Sequence, residues 1–251
     1  MLHRNALHFV ESANLGAAPI RPETAQEAVT PALNLDTLPS GVVAGNTLID
    51  FSEATAAARS GLSLAMTFAS RTATASAKPD DDEDDWFAAY KTNLMQLGFD
   101  VSQSAFTRST FRKRDVAVHK AIIPFLTIAL GGAAVGPVIL ALLENLKEAG
   151  DNAPWITLFD RESRRHQTRE MYFAAVTSNA VESRIRHVAA RLSFVDDTVN
   201  VLFFKISNLS ADFESATTTL NINNNLLDVL EPKLRGRLEA SASDFIAGAV
   251  I

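Results

Sequence analysis

The chain has 251 residues, a formal net charge of −6 at pH 7 and no cysteine, with 47% apolar and 21% charged residues. The absence of cysteine excludes disulfides, thiolate nucleophiles, thiolate metal sites and S-acylation. This apolar content is typical of a folded chain with a substantial core, and the mild negative charge gives no general attraction to nucleic acid, so we expect no nucleic-acid partner.

The first forty residues contain Pro19, Pro22, Pro31 and Pro39 among small and polar residues. Because proline interrupts helices, this composition predicts an extended N-terminal arm over residues 1–40. The segment also lacks the apolar centre of a secretory signal peptide. We therefore expect cytoplasmic synthesis without a signal peptide, and any release would need a non-classical or dedicated secretion machine.

Residues 41–251 are expected to form a single domain. Gly41–Phe51 predicts a short strand, and Ala54–Arg71 predicts a helix that Ser52 caps. Residues 72–85 end in the run DDDEDD, whose like charges repel one another and stay solvated. This segment is predicted to be a mobile acidic loop.

The segment Trp86–Leu97 has the clearest helical pattern in the chain. Its apolar side chains recur at intervals of three and four residues, at Phe87, Tyr90, Leu94 and Leu97. Gly98 follows directly and is the residue type that most often ends a helix. The pattern predicts a helix with one buried face.

The most apolar stretch is AIIPFLTIALGGAAVGPVILALL, residues 121–143, which carries no charge. Its length would suit a transmembrane helix, but two prolines and the pair Gly131–Gly132 interrupt it. Division at the glycines predicts two ordinary helices, Val116–Leu130 and Pro137–Ala149. Pro137 suits the first position of the second helix, where its missing N–H costs nothing.

We expect these two helices to form an apolar hairpin buried in the core. The residues expected to build it are Ile122, Phe125, Leu126, Leu130, Gly131, Gly132, Val138, Leu140 and Leu143. In the second helix, Leu140, Leu143 and Leu146 form the predicted buried stripe. Two alternatives stay open: a hairpin that leaves the core and inserts into a membrane, and a single membrane span.

Beyond the apolar stretch, Trp155–Asp160 predicts a short strand, followed by a basic loop, Arg161–Arg169. Guanidinium groups bind phosphate in a bidentate manner, so the loop could hold an anion. The candidate anion-binding residues are Arg161, Arg164, Arg165 and Arg169. The alternative is an exposed loop whose arginines pair with neighbouring carboxylates.

Alternation of apolar and polar residues predicts strands at Met171–Ser178 and Arg184–Phe194. A hairpin is predicted from the second strand into Val199–Ile206, and an edge strand at Asp212–Asn221. His187 falls on the polar side of its strand, which predicts a residue at the surface or in support of other residues rather than a catalyst.

Near the C-terminus, a stripe of leucines predicts a helix that begins after the asparagines of residues 223–225. The last residues, Phe245–Ile251, predict a closing strand. Helices before residue 150 and strands after it indicate an α+β fold. We expect a helical N-terminal half, with buried apolar helices, packed against a C-terminal antiparallel β-meander.

The sequence contains no phosphate-binding loop, no nucleophile elbow and no zinc-ligand pair on a helix. The five histidines are scattered without the spacing of metal ligands. We therefore expect no catalytic, cofactor-binding or metal-binding residues, no cofactor, and a non-enzymatic role.

Four stretches, VVAGNTLIDF, WFAAYKTNLMQLGF, VLFFKI and FIAGAVI, resemble a family of uncharacterised bacterial and fungal proteins. That family shows the pattern VVAGxxLxxF, then a helix with W…Y…L…GW, then a β-rich second half. The similarity extends over Gly41–Ile251, with Phe99 where the pattern has tryptophan. A looser similarity is to the Evf-type bacterial virulence factor, an α/β protein that attaches to membranes by palmitoylation; the absence of cysteine excludes that anchor here.

These observations predict a soluble, non-enzymatic protein. The leading hypothesis is a virulence or toxin-like effector that associates with membranes through its apolar hairpin, with a membrane or lipid as its partner. The alternative is a structural or ligand- or partner-binding module without membrane activity.

Overall fold

The computed structural model describes residues 2–16, 34–78, 83–102, 107–111, 116–130, 137–144, 154–164, 170–193, 205–206 and 211–249. The helices are α1 (Leu2–Ser12), α2 (Ala56–Ser76), α3 (Glu83–Gln96), α4 (Val118–Ala129), α5 (Pro137–Glu144), α6 (Pro154–Arg164), α7 (Asn224–Leu238) and α8 (Ala242–Phe245). The strands are β1 (Gly41–Ala44), β2 (Thr47–Glu53), β3 (Asp100–Val101), β4 (Thr107–Phe111), β5 (Val116–Ala117), β6 (Glu170–Ser178), β7 (Glu182–Ser193), β8 (Lys205–Ile206), β9 (Ala211–Asn223) and β10 (Ile246–Gly248).

One eight-stranded sheet organises the molecule. Its strand order is β10-β1-β2-β6-β7-β9-β3, and β4 also pairs with β9. Neighbouring strands run antiparallel except β2 and β6, which are parallel. This parallel pair joins the N-terminal hairpin β1–β2 to the meander β6–β7–β9. The α+β fold class is confirmed.

Helices cover both faces of the sheet and create two cores. On the first face α1, α2, α3 and α7 pack against alternate residues of β2, β6, β7 and β9. On the second face α4, α5 and α6 pack against the intervening residues of β2, β6 and β7. Because helices cover both faces, odd- and even-numbered residues of β2, β6 and β7 are buried alike.

The predicted strand Gly41–Phe51 is in fact a hairpin of two strands. Gly45 adopts a φ of 60°, a left-handed conformation that glycine reaches without strain, and the chain turns there from β1 into β2. The register places Ala44 opposite Thr47. The turn explains why glycine and asparagine separate the apolar residues of β1 from those of β2.

The expectation of an extended N-terminal arm is wrong over residues 2–12, which form α1. Ala6 and Val10 are buried, and the ring of Phe9 packs edge-on against Phe68 of α2 with centroids 5.8 Å apart. Residues 17–33 lie outside the described part of the chain. The prolines of this region therefore begin after α1 has ended.

The predicted acidic loop at residues 72–85 is mostly helical. Ser52 belongs to β2, so it does not cap α2 as predicted. Helix α2 begins at Ala56 and continues to Ser76. Helix α3 already begins at Glu83, and residues 79–82 lie outside the described part of the chain. Residues 83–85, all acidic in the sequence, thus belong to the first turn of a helix, where the macrodipole favours negative charge.

Two predicted helices are confirmed with their buried faces. In α3 the stripe from Phe87 to Leu97 is buried, and Gly98 has a φ of 94° after the helix ends. In α7 the side chain of Asn223 accepts a hydrogen bond from the Asn225 amide and caps the first turn. The leucine stripe of α7 is buried at Leu227, Leu230, Leu234 and Leu238.

Three strand predictions are wrong. Trp155–Asp160 lies in helix α6, whose residues Ile156 and Phe159 are buried. Strand β7 pairs with β6 and β9, whereas β8, the described part of Val199–Ile206, pairs with β5. Strand β9 is flanked on both sides, by β7 and by β3 and β4, so it is not an edge.

The C-terminal segment pairs as predicted. Strand β10 runs antiparallel to β1, with Val43 opposite Ala247. Phe245 and Ile246 are both buried there. The closing strand thus removes apolar side chains from water at the β1 edge of the sheet.

Candidate functional site

Helices α4 and α5, called here the apolar helix pair, contain the described part of the uncharged stretch. The inner face of α4 is formed by Ile122, Leu126 and Leu130, spaced four residues apart and buried against the second core. Pro124 lies inside α4 without ending it. These three residues thus contribute to the second core, and their membership of a membrane-active hairpin stays a prediction.

The outer face of α4 is also apolar. The side chain of Ile128 is 80% exposed and Pro124 is exposed, whereas Ile123 and Phe125 at the sides of the helix are partly buried against the second core. Thr127 donates its hydroxyl to the Ile123 carbonyl at 3.0 Å, so the one polar side chain of this stretch is satisfied within the helix. An ordinary surface helix carries charged side chains at such positions.

Helix α5 begins at Pro137, as predicted, but its buried stripe differs from the prediction. Ile139, Leu142 and Leu143 are buried, whereas Leu140 and Val138 are only partly buried. The expected stripe through Leu140 is wrong because α5 lies across β1 and β2, which selects a face rotated by about one residue. Gly131, Gly132 and Leu146 lie outside the described residues.

A buried carboxylate meets the first turn of α5. Asp50 of β2 is 1% exposed, and its Oδ2 accepts hydrogen bonds from the amides of Val138 at 2.7 Å and Ile139 at 3.4 Å. Its Oδ1 accepts from the Ser52 amide at 2.8 Å. Sequence reasoning missed this residue, although a single acid between Ile49 and Phe51 in a buried strand is a usable signal.

The basic segment is only partly described. Arg161 Nε donates to Glu162 Oε1 at 2.8 Å, and the same guanidinium donates to the carbonyl of Asp244. Arg164 ends α6, and Arg165 and Arg169 lie outside the described residues. Arg161 is thus held by protein acceptors, and the anion site of four arginines stays a prediction.

An aromatic cluster fills the first core between α3 and the sheet. It consists of Trp86, Phe87, Tyr90, Tyr172 and His187, with neighbouring ring centroids 5.2 to 6.5 Å apart. Of the two positions predicted for His187, the surface position is wrong, because its side chain is 1% exposed. Its neighbours at i±2, Ile185 and Ala189, are buried on the same face, which is the signal that could have placed it.

Burial changes the acid–base behaviour of this cluster. Removal from water lowers the pKa of His187 to about 3, since the charged imidazolium loses its hydration. Its Nε2 has no hydrogen-bond partner among the described residues. The same desolvation raises the pKa of Tyr90 above its usual value. Burial therefore keeps both His187 and Tyr90 in their neutral forms at physiological pH.

The described residues contain no group of three or more histidine, aspartate or glutamate side chains that could hold a metal ion. Within the same ranges, no helix combines the length and the hydropathy that crossing a bilayer requires. Helix α4 has 12 residues, about 18 Å at 1.5 Å per residue, compared with roughly 30 Å of hydrocarbon core.

No protein-family model matches the chain, and no curated protein matches it. Among solved structures, a delta-endotoxin aligns over 86% of this chain and 97% of its own chain, with a TM-score of 0.38 and 13% sequence identity. A likeness this distant carries no function from that protein to this chain.

Proposed function

We propose that this chain is a non-enzymatic protein that associates with lipid membranes through the outer face of α4. The observation that carries the proposal is that α4 is apolar on both faces. The inner face is already in contact with the second core, yet from Ala121 onward the outer face also lacks charge and exposes Ile128 and Pro124. Contact with lipid would remove this apolar area from water, at roughly 25 cal/mol per Å².

Charge in the sequence before α4 favours an anionic lipid surface as the partner. Residues 112–120, RKRDVAVHK, contain four lysine or arginine side chains and one acidic side chain. His119 and Lys120 of this run lie in the first turn of α4. Basic side chains beside an apolar face are typical of segments that lie in the interface of anionic bilayers, each worth about 1 kcal/mol near the surface.

The length of α4 indicates how the contact is made. A helix of 12 residues is too short to cross the hydrocarbon core, so the helix lies in the interface plane. This geometry leaves the inner face packed on the protein and needs no unfolding. The virulence-type role stays a prediction.

Flotation with vesicles tests the proposal. We expect the chain to float with vesicles of phosphatidylcholine and phosphatidylglycerol, and much less with pure phosphatidylcholine, at neutral pH and 0.1 M salt. Ile128→Asp should abolish most of this binding without unfolding the protein, because the side chain is exposed.

The matched control is Val181→Asp, which places the same charge at another apolar side chain that is 60% exposed. This variant should float like the parent protein. Absence of flotation for the parent protein, or equal losses for both variants, would contradict the proposal. The first result would favour the alternative of a partner-binding module without membrane activity.

A further inference from the structure

Asp50 is a buried carboxylate that bridges two distant parts of the chain, and its acceptor oxygens meet backbone amides rather than a basic side chain among the described residues. It lies in the middle of β2, and its hydrogen bonds reach the amides of Val138 and Ile139, 88 and 89 residues away. Burial of a carboxylate is costly unless donors replace its hydration, and three backbone amides do so here.

Helix α5 has no N-cap side chain of its own. Its first residue is Pro137, which has no N–H, and the residue before it in the sequence is Gly136, which has no side-chain oxygen. The first amides of a helix have no intrahelical acceptor and carry the positive end of the macrodipole. Asp50 supplies the missing acceptor and the negative charge from the sheet.

Close packing near the same turn shows that α5 is seated directly on the sheet. A Cβ atom placed on Gly41 of β1 would lie 3.0 Å from Val138 Cγ1 and 3.1 Å from Leu142 Cδ1. A side chain at Gly41 would therefore have to displace the ends of these two side chains by a few tenths of an ångström, so β1 and α5 are closely packed. The polar tie at Asp50 and this apolar contact fix the same end of the helix.

We propose that Asp50 is the positioning residue that clasps the apolar helix pair onto the sheet. Without its carboxylate, α5 loses both its N-cap and its polar anchor, while α2 and the first core keep all their contacts. The clasp therefore controls how firmly α4 and α5 are held. Its effect on lipid binding rests on the proposed function, but the clasp itself does not.

Amide hydrogen exchange in the unmodified chain gives the first test. The Val138 amide should be protected from exchange, because it donates to a buried carboxylate at 2.7 Å. Amides in the first turn of a helix usually exchange fast, since they have no acceptor. Rapid exchange at Val138 would overturn the proposal without any substitution.

The second test compares Asp50→Asn with the parent chain. Asparagine keeps the volume and one acceptor oxygen but loses the charge, so exchange over residues 138–143 should become about tenfold to hundredfold faster. Exchange over residues 62–73 of α2 should not change. Asp36→Asn is the control, because Asp36 is an exposed carboxylate paired with Arg235 at 2.7 Å and far along the chain from α5.

The remaining outcomes decide between the two proposals. Unchanged exchange in α5, or equal acceleration in α2 and α5, would overturn the clasp, since Asp50 would then have no role or a role in the whole fold. Faster exchange in α5 with stronger flotation on the anionic vesicles supports both proposals. Faster exchange in α5 in a protein that never floats supports the clasp and contradicts the membrane function.

Discussion

Helix α2 and the apolar helix pair differ in burial, and the difference is the opposite of what the polarity of their sequences suggests. Helix α2 carries serines and threonines, yet every residue from Ser60 to Ala73 is buried. Residues 121–143 contain no charge at all, yet α4 exposes Ile128. The comparison teaches that burial follows the number of neighbouring elements rather than the hydropathy of the helix itself.

Small residues in α2 allow the neighbouring helices to pack closely around it. A Cβ atom on Gly61 would lie 2.9 Å from Leu227 Cγ, so α7 packs against the bare backbone of α2. Some polar groups of α2 are paired: Ser60 Oγ donates to Glu231 of α7 at 2.7 Å, and the Ala69 carbonyl accepts from Asn93 of α3 at 3.1 Å. The hydroxyls of Ser63, Thr67 and Thr72 are buried without a hydrogen-bond partner among the described residues. Polar side chains are tolerated in a core when they are paired in this way.

The largest expected effect is in α2. Phe68→Ala should lower the free energy of unfolding by about 3 to 5 kcal/mol, because a fully buried ring that contacts Phe9 is lost. Denaturant unfolding followed by circular dichroism measures the loss. Met95→Ala, at an exposed position of α3, is the control and should change stability by less than about 0.5 kcal/mol. Equal losses for both variants would contradict the central position of α2.

Within the apolar helix pair, neighbouring leucines should differ. Leu143→Ala should cost about 2 to 5 kcal/mol, since Leu143 is fully buried. Leu140→Ala should cost about 1 kcal/mol, because Leu140 is only partly buried. The same unfolding measurement applies to both variants. A larger loss at Leu140 would restore the stripe predicted from the sequence and overturn the observed rotation of α5.

The aromatic cluster predicts that the first core weakens in acid. The pKa of His187 is about 3 in the folded chain, below the ordinary 6.5, so the unfolded chain binds the proton more readily. Its contribution to stability is complete above about pH 6.5 and falls by roughly 1.4 kcal/mol per pH unit as the pH drops towards 3. Between pH 7 and pH 5 the loss should be about 2 kcal/mol.

Unfolding curves at several pH values, for the parent chain and for His187→Phe, isolate this contribution. Phenylalanine keeps an aromatic ring beside Phe87, Tyr90 and Tyr172 and cannot be protonated. The variant should lose less stability than the parent chain between pH 7 and pH 5. Parallel curves would show that His187 does not couple the core to pH.

The smallest expected effect is at the outer face of α4. Ile128→Asp should change the free energy of unfolding by less than about 0.5 kcal/mol, because the side chain contacts mainly water. A loss of several kcal/mol would show that this face is covered in the folded protein. The apolar helix pair would then be enclosed as α2 is, and the difference in burial between the two regions would be contradicted.

Much of the fold was predictable where local spacing carries the signal. The stripe of α3, with Gly98 after it, and the leucine stripe of α7 follow from residues within one element. The division of residues 121–143 into two helices, with Pro137 at the start of the second, follows from proline and glycine chemistry. These features need no knowledge of what the element packs against.

The predictions were wrong where contact with an element distant in sequence determines the secondary structure or the burial of a residue. WITLFD has the residues of a strand, but Ile156 and Phe159 bury one face of α6 against the sheet. His187 was predicted at the surface because one face of β7 is more polar, although α3 covers that face too. Only the parallel pairing of β2 with β6 brings Asp50 into a covered part of the sheet.

The sequence by itself determined which segments are helices of marked periodicity, where the uncharged stretch divides, and which thiol-based chemistries are excluded. Those properties depend on residues a few positions apart, where steric and hydrogen-bonding preferences act directly. The tertiary structure alone decided that α2 is enclosed, that α4 keeps an apolar face outward, and that Asp50 caps a helix 88 residues away. Burial and long-range capping depend on which elements meet in space, and local spacing does not encode that arrangement.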